Sequence, residues 1–142
     1  MYTSVTARSA SAYKRVGLET SVDGASPHKL VALLFDALLQ SLAAARAAMA
    51  RGDIEAKGRE IGKAVSILEQ GLAAGLNDAD AVEIAENLRA VYSYSVGRLT
   101  LANLKNDDRL LVEVRNLIAP IADAWNQVRD QVAGATPYYA GA

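Results

Sequence analysis

The chain has 142 residues, of which 51% are hydrophobic and 22% are charged, and 15 basic residues against 16 acidic ones give a formal net charge of −1. This length and apolar content predict one domain with its own core, and the balanced charge argues against nucleic-acid binding. The chain has no cysteine, which excludes disulfides and thiolate chemistry and suits a cytoplasmic protein.

Residues 1–25 are predicted to form an N-terminal arm outside the folded bundle. The beginning of the arm is polar and has no apolar leader, so we expect no cleaved secretion signal. No stretch of the chain approaches the roughly 20 apolar residues that span a bilayer, and no membrane insertion is expected. The arm carries three apolar side chains that are able to cover a neighbouring surface: Tyr13, Val16 and Leu18.

The first helix is predicted to begin at the N-cap Ser26, with Pro27 in its first turn, and to end at Gly52. Its apolar surface exceeds what one core needs, because nearly every position from 30 to 42 is apolar, whereas one core needs a stripe at i, i+3, i+4 and i+7. Leu34 and Leu38 are predicted to face the core. The surplus side chains are predicted to form a groove: Val31, Phe35, Leu39 and Leu42. The candidates to fill it are the arm, a second copy, or another protein.

Three further helices follow. The second is predicted to start at Asp53, with an apolar stripe that includes Ile54, and to end near Asn77. The third is predicted to run from about Asp80 to Asn106. The fourth is predicted to start at residue 107 or 108 and to end at Gly134, with a kink at a proline, Pro120, inside its apolar stripe.

Two tyrosines of the third helix are predicted to differ in exposure. Tyr92 and Tyr94 lie two residues apart, so their side chains point about 200° from each other and at most one of them faces the core. Tyr92 lies on the apolar stripe of this helix, and Tyr94 is the candidate for a partner contact at the surface. Trp125, on the stripe of the fourth helix, is predicted to lie in the core.

Four helices of about 25 residues, joined by short turns, predict an all-α, antiparallel up-down four-helix bundle. The bundle is expected to occupy residues 26–134, between the arm at 1–25 and a flexible tail at 135–142.

Catalytic and metal-binding motifs are not recognisable. His28 is the only histidine, and its place in the first turn of a helix predicts an exposed polar residue rather than a member of a triad. One histidine cannot supply the two Glu-x-x-His motifs of a di-iron bundle. Carboxylates lie near basic residues at helical spacing, as in Arg109 and Glu113. We therefore expect no enzyme activity, no cofactor and no metal.

Several short motifs occur in an order that resembles one protein family. They are Ala12-Tyr13-Lys14-Arg15-Val16 in the arm, Ser26-Pro27-His28-Lys29-Leu30 and Leu34-Phe35-Asp36 in the first helix, Ala85-Glu86-Asn87-Leu88 and Val91-Tyr92-Ser93-Tyr94 in the third, and Ala124-Trp125 in the fourth. The set is similar to the flagellin-specific export chaperones of the FliS family. Phe35 departs from the family, which usually has tyrosine there.

The resemblance implies a cytoplasmic chaperone that binds the C-terminal segment of newly made flagellin, keeps it from assembling early and delivers it to the flagellar export apparatus. In this family the client lies in apolar grooves of the bundle, and the N-terminal arm covers part of that surface when no client is bound. The free protein is expected to be a monomer or a weak homodimer. The alternative is a structural homo-oligomer without a client, in which the surplus face of the first helix packs against its symmetry mate.

Overall fold

The computed structural model describes residues 26–78 and 82–141, and within them the side chains of residues 26–76 and 82–128. All regular elements of this part of the chain are helical, so the all-α prediction is confirmed. The elements are α1 (Pro27–Ala50), α2 (Ile54–Ser66), a π-helical continuation of α2 (Ile67–Leu72), a 3-10 turn (Ala74–Asp78), α3 (Val82–Lys105) and α4 (Asp108–Gly141).

Side-chain caps and left-handed residues fix two of the turns. The Ser26 hydroxyl accepts a hydrogen bond from the Lys29 amide at 3.1 Å and begins α1 as predicted. The Asp53 carboxylate accepts one from the Ala56 amide at 3.0 Å and begins α2. Gly52 (φ 74°) ends α1 and Asn106 (φ 54°) ends α3, because glycine and asparagine tolerate the left-handed conformation that reverses the chain.

The helices form a four-helix bundle in which each one packs on two neighbours. In the described ranges, α1 and α3 each pack against α2 and α4, and neither the α1–α3 pair nor the α2–α4 pair comes into close backbone contact. Contacts near the two ends of α1 show that it runs opposite to α4, because Arg46 pairs with Asp108 and His28 contacts Trp125. The largest fully buried side chains lie between the helices: Leu30, Leu34, Leu38, Leu42, Ile67, Leu68, Leu99, Leu111 and Ile118.

The structure differs from the prediction in α2 and α4. Ile54 was expected on the buried stripe of α2, but it lies at the first turn, beyond the neighbouring helices, and is 74% exposed. The predicted end of the fourth helix at Gly134 is wrong, because the helical backbone continues to Gly141. One interior glycine costs a helix about 1 kcal/mol, which does not terminate it. The helix also continues across Pro120, which leaves the carbonyl of Asn116, an exposed residue, without its helical donor. The kink expected at this proline stays a prediction.

α1 is long and apolar enough, by length and composition, to cross a membrane, with a mean hydropathy of 1.6 over its most apolar window. The expectation that no stretch of the chain reaches this level is therefore wrong. The core helix of a soluble bundle passes the same test, and 44% of that window is buried inside the protein. α1 buries part of this apolar surface against its two neighbouring helices, α2 and α4.

Candidate partner-binding surface

The apolar stripe of α1 that was predicted to be surplus lies along the contact between α1 and α4. One side of α1 carries six residues that follow one another at spacings of three and four: His28, Val31, Phe35, Leu39, Leu42 and Arg46. Both ends of this stripe contact α4. The Arg46 guanidinium donates two hydrogen bonds to the Asp108 carboxylate, at 2.7 and 3.0 Å, and the backbone carbonyl of His28 accepts one from Trp125 Nε1 at 3.0 Å.

Phe35 and Leu42 are consequently buried, and the expectation that they line an accessible groove is wrong. Phe35 is 3% exposed and Leu42 is 1% exposed, and both belong to the core cluster. Val31 and Leu39 are half-buried and pack against that cluster. The physical reason is that α1 serves two helix contacts: the stripe containing Leu34 and Leu38 is buried as predicted, and the second stripe faces α4.

His28 is also not the exposed polar residue that was predicted. Its ring is half-buried and stacks on the indole of Trp125, with ring centroids 4.4 Å apart and an angle of 19° between the planes. Trp125 itself is half-buried instead of lying deep in the core. The two aromatic rings join the beginning of α1 to α4.

The remaining predicted contact residues lie elsewhere. Tyr13, Val16 and Leu18 lie outside the described residues. Tyr92 is 3% exposed and Tyr94 is 48% exposed, so the predicted division between these tyrosines is confirmed.

Tyr94 is held at the α3–α4 boundary by a small polar network. Its hydroxyl donates a hydrogen bond to the Glu113 carboxylate, which also accepts one from Arg98 Nε at 2.8 Å. These hydrogen bonds lower the pKa of Glu113, and the bond to Glu113 raises the pKa of Tyr94. The Arg98 guanidinium lies 5.6 Å from the centre of the Tyr94 ring. Tyr94 is therefore both exposed and fixed in orientation.

An apolar stripe on α3 leads from Tyr94 towards the beginning of that helix. Val91, Leu88 and Ile84 precede Tyr94 at spacings of three and four residues; Val91 and Leu88 are half-buried, and Ile84 is 60% exposed. The sequence alone does not mark this stripe as a partner contact. Its signal, alternating three- and four-residue spacing, was the same as that of a core stripe.

α4 presents a matching stripe. This stripe starts from Glu113, which faces α3, and continues at spacings of four and seven residues through Leu117, Ile121 and Val128. The first two of these apolar residues are half-buried, and Val128 is 45% exposed. α3 and α4 are joined by a tight turn and pack side by side. Both stripes therefore extend away from this turn, towards the same end of the bundle. We call these residues together the α3–α4 face: Ile84, Leu88, Val91, Tyr94, Leu117, Ile121 and Val128.

The α3–α4 face has the chemistry of a surface for a polypeptide. Its apolar side chains recur at the spacings that receive an amphipathic helix or an extended apolar segment, and the Tyr94 network adds a polar edge. Among the residues whose positions are described, no group of three histidine, aspartate or glutamate side chains is placed to hold a metal ion.

The sequence of this chain is similar to members of one protein family. A family model described as "Flagellar protein FliS" matches residues 9–132. The flagellar secretion chaperone FliS of Salmonella typhimurium is 43% identical over 123 residues, which are 87% of this chain and 91% of the relative. Its namesake in Escherichia coli is 40% identical over 85% of this chain and 89% of the relative. The Bacillus subtilis protein of that name is 33% identical over 77% and 80%.

Proposed function

Because this chain belongs to the FliS family of flagellar secretion chaperones, we propose that it is a non-enzymatic cytoplasmic chaperone for flagellin. It binds the C-terminal segment of the newly made subunit, prevents early assembly and assists delivery to the export apparatus. The observation that carries this proposal is the match to the family over nearly the whole folded part of the chain. No cofactor takes part.

The α3–α4 face is the part of the bundle that we propose for the client. It combines exposed apolar side chains, Ile84 and Val128, with half-buried ones that a ligand covers without opening the core. Val31 and Leu39, half-buried beside the α1–α4 contact, are further candidate contacts. Covering an exposed aliphatic side chain contributes about 1.5–3 kcal/mol when burial is complete, so a few such contacts support a stable complex.

The proposed client segment is tested by calorimetric titration of the full-length chain with flagellin and with flagellin that lacks its C-terminal segment. We expect a saturable 1:1 complex with intact flagellin and loss of binding with the truncated form. An unchanged affinity after truncation would contradict the proposed client segment.

The proposed face is tested with two variants on α3. Ile84→Ser removes an exposed apolar side chain of the α3–α4 face, and we expect it to weaken flagellin binding about tenfold, which corresponds to about 1.4 kcal/mol. Leu104→Ser is the matched control, because Leu104 lies near the other end of the same helix and is 80% exposed. If both variants bind flagellin like the parent, the client does not use this face.

The N-terminal arm is proposed to cover part of the client surface through Tyr13, Val16 and Leu18. A cover that is closed for most of the time lowers the apparent affinity by the fraction of open protein. Deletion of residues 1–18 is therefore expected to raise the affinity for flagellin in the same titration. An unchanged affinity together with a lower melting temperature would assign the arm a structural role only.

A further inference from the structure

A second candidate site lies at the end of the bundle where two short turns meet, away from the proposed client surface. The turn between α1 and α2 and the turn between α3 and α4 enclose a cavity of about 300 Å³. We call it the end pocket, and its lining includes Asp53, Ile54, Lys57, Asn103, Leu104 and Asn106. The volume is sufficient for one or two side chains of a bound peptide.

The end pocket contains a buried cation. Lys57 is 5% exposed, and its ammonium group donates to the backbone carbonyl of Asn103 at 3.1 Å and to the side-chain carbonyl of Asn106 at 3.0 Å. Both acceptors are neutral. These two bonds cap the last turn of α3, which explains why the lysine folds inward. An ammonium group has three N–H donors, so one donor is left over, and the negative end of the α3 dipole compensates only part of the positive charge.

No carboxylate in the described part of the chain compensates this charge. The cavity lining includes one carboxylate, that of Asp53, which accepts a hydrogen bond from the Ala56 amide at 3.0 Å and lies 3.5 Å from the Arg51 guanidinium. Glu55 and Glu60 are nearer to Lys57 in sequence, but Glu55 is exposed and Glu60 lies 3.8 Å from Arg59. Buried charges in proteins are normally paired, because an unpaired charge loses hydration without gaining a partner. A carboxylate supplied from outside would meet this requirement.

The rim of the end pocket is apolar. Leu104 and Ile54 are 80% and 74% exposed, and they are the two most exposed large hydrophobic residues of the described chain. A single exposed aliphatic side chain is ordinary. Two of them on a cavity that holds a buried cation give the site a defined chemistry, with a positive centre and an aliphatic border.

We propose that the end pocket is a docking site for a partner polypeptide that presents a carboxylate side chain next to aliphatic ones. The carboxylate binds the free N–H of Lys57, and the neighbouring aliphatic side chains lie against Ile54 and Leu104. This interaction goes beyond the proposed client function, because it uses other residues at another end of α3. It gives the chaperone a second surface through which a partner is bound while the client site is occupied.

The test uses a pair of short peptides as probes. Acetyl-Ser-Leu-Glu-Leu-Ser-amide and its analogue with glutamine in place of glutamate are titrated into the ¹⁵N-labelled full-length chain and followed by NMR. We expect the glutamate peptide to bind at least about fivefold tighter, because a charge-assisted bond is stronger than a neutral one, and to shift the resonances of the end pocket. Equal affinities, shifts centred on Ile84, or no saturable shift at millimolar peptide would overturn the proposal.

Three variants locate the site. Leu104→Ser is expected to weaken the glutamate peptide about fivefold, whereas Ile84→Ser, the exposed control on the same helix, leaves it unchanged. Lys57→Met keeps the apolar stem and is expected to abolish the preference for glutamate over glutamine, with a melting curve to establish that it folds. The comparison of the two peptides on the parent chain decides the proposal even if this variant does not fold.

The proposals for the end pocket and for the client surface are tested independently. Ile84→Ser is expected to weaken flagellin binding and to leave peptide binding unchanged. Leu104→Ser is expected to weaken peptide binding and to leave flagellin binding unchanged. A result in which Leu104→Ser leaves peptide binding intact contradicts the end pocket alone.

Discussion

The indole of Trp125 makes the contact that holds the beginning of α1 on α4. It stacks on His28 and donates a hydrogen bond to the backbone carbonyl of the same residue at 3.0 Å. Stacking depends on an aromatic ring, whereas the hydrogen bond depends on the indole N–H. The two contributions are therefore separable by substitution.

We expect Trp125→Phe to lower the free energy of unfolding by about 1 kcal/mol, because it keeps a ring against His28 and loses one net hydrogen bond. Trp125→Leu loses both contacts and is expected to cost more. Urea unfolding followed by circular dichroism measures both variants, since the only tryptophan is removed. A phenylalanine variant as stable as the parent would show that the hydrogen bond contributes nothing.

Burial of Tyr92 links stability to alkaline pH. Its side chain is 3% exposed, and burial raises its pKa from 10.0 to about 12. The unfolded chain then releases this proton at lower pH than the folded one, so the folded state holds more protons between these values. Stability therefore falls as the pH rises from 10 towards 12.

Ionisation of Tyr92 is expected to lower the free energy of unfolding by about 1.4 kcal/mol between pH 9 and pH 11. The Tyr92→Phe variant has no hydroxyl at this position and is expected not to show this decrease. Urea unfolding of the parent and of Tyr92→Phe at both pH values measures the difference, and the other titrating groups cancel. Equal losses in the two proteins would mean that the Tyr92 hydroxyl is not protected in the fold.

At the scale of the element, the π-helical continuation of α2 brings the helix close to α1. The Ala73 amide donates to the Leu68 carbonyl at 2.8 Å, five residues back, which widens the turn. A Cβ atom added to Gly71 would lie 3.1 Å from Leu34 Cδ2, whereas one added to Gly62 would meet no atom within 4 Å. Close approach to a neighbour therefore explains one glycine of α2 and not the other.

Gly62→Ala is expected to stabilise the protein by about 0.5–1 kcal/mol, because alanine lowers the conformational entropy of the unfolded chain and favours the helix. Gly71→Ala is expected to destabilise it by about 1 kcal/mol, because the fully packed Leu34 side chain has to move. Thermal unfolding compares the pair. A Gly71→Ala protein as stable as Gly62→Ala would show that Leu34 adjusts freely.

For the whole molecule, the pairing of α1 with both α2 and α4 removes the main argument for a homo-oligomer. The apolar stripe that was available for a symmetry mate is occupied by α4, and its members Phe35 and Leu42 are buried within one chain. Among the residues with described side chains, most of the large exposed apolar ones lie on the α3–α4 face and at the end pocket, and Val82 is the exception. Those two places are suited to binding different partners.

We expect light scattering to give a mass near 15.0 kDa for the free chain and that of a 1:1 complex after addition of flagellin. A stable dimer that is unaffected by flagellin would favour the structural homo-oligomer. Ile84→Ser, which is expected to reduce complex formation without changing the mass of the free chain, serves as the control.

The sequence by itself determined the helical class, most helix boundaries and the family. Capping at Ser26 and Asp53 and the turn at Gly52 are local, because they depend on neighbouring residues and on backbone sterics. The contrast between Tyr92 and Tyr94 follows from helical periodicity alone. The motifs that resemble the FliS family needed no structure, since they are read in order along the chain.

Tertiary structure decided what each apolar stripe contacts. Phe35 and Leu42 were predicted at a partner surface because a stripe has the same pattern whether it faces solvent, a partner or another helix. The pairing of Glu113 with Arg98, instead of with Arg109, likewise required the neighbouring helix. The end pocket joins residues from both turns, and only the packing of four helices brings Lys57, Ile54 and Leu104 together. Local physics fixes the helices, whereas long-range packing fixes which of their faces remain free.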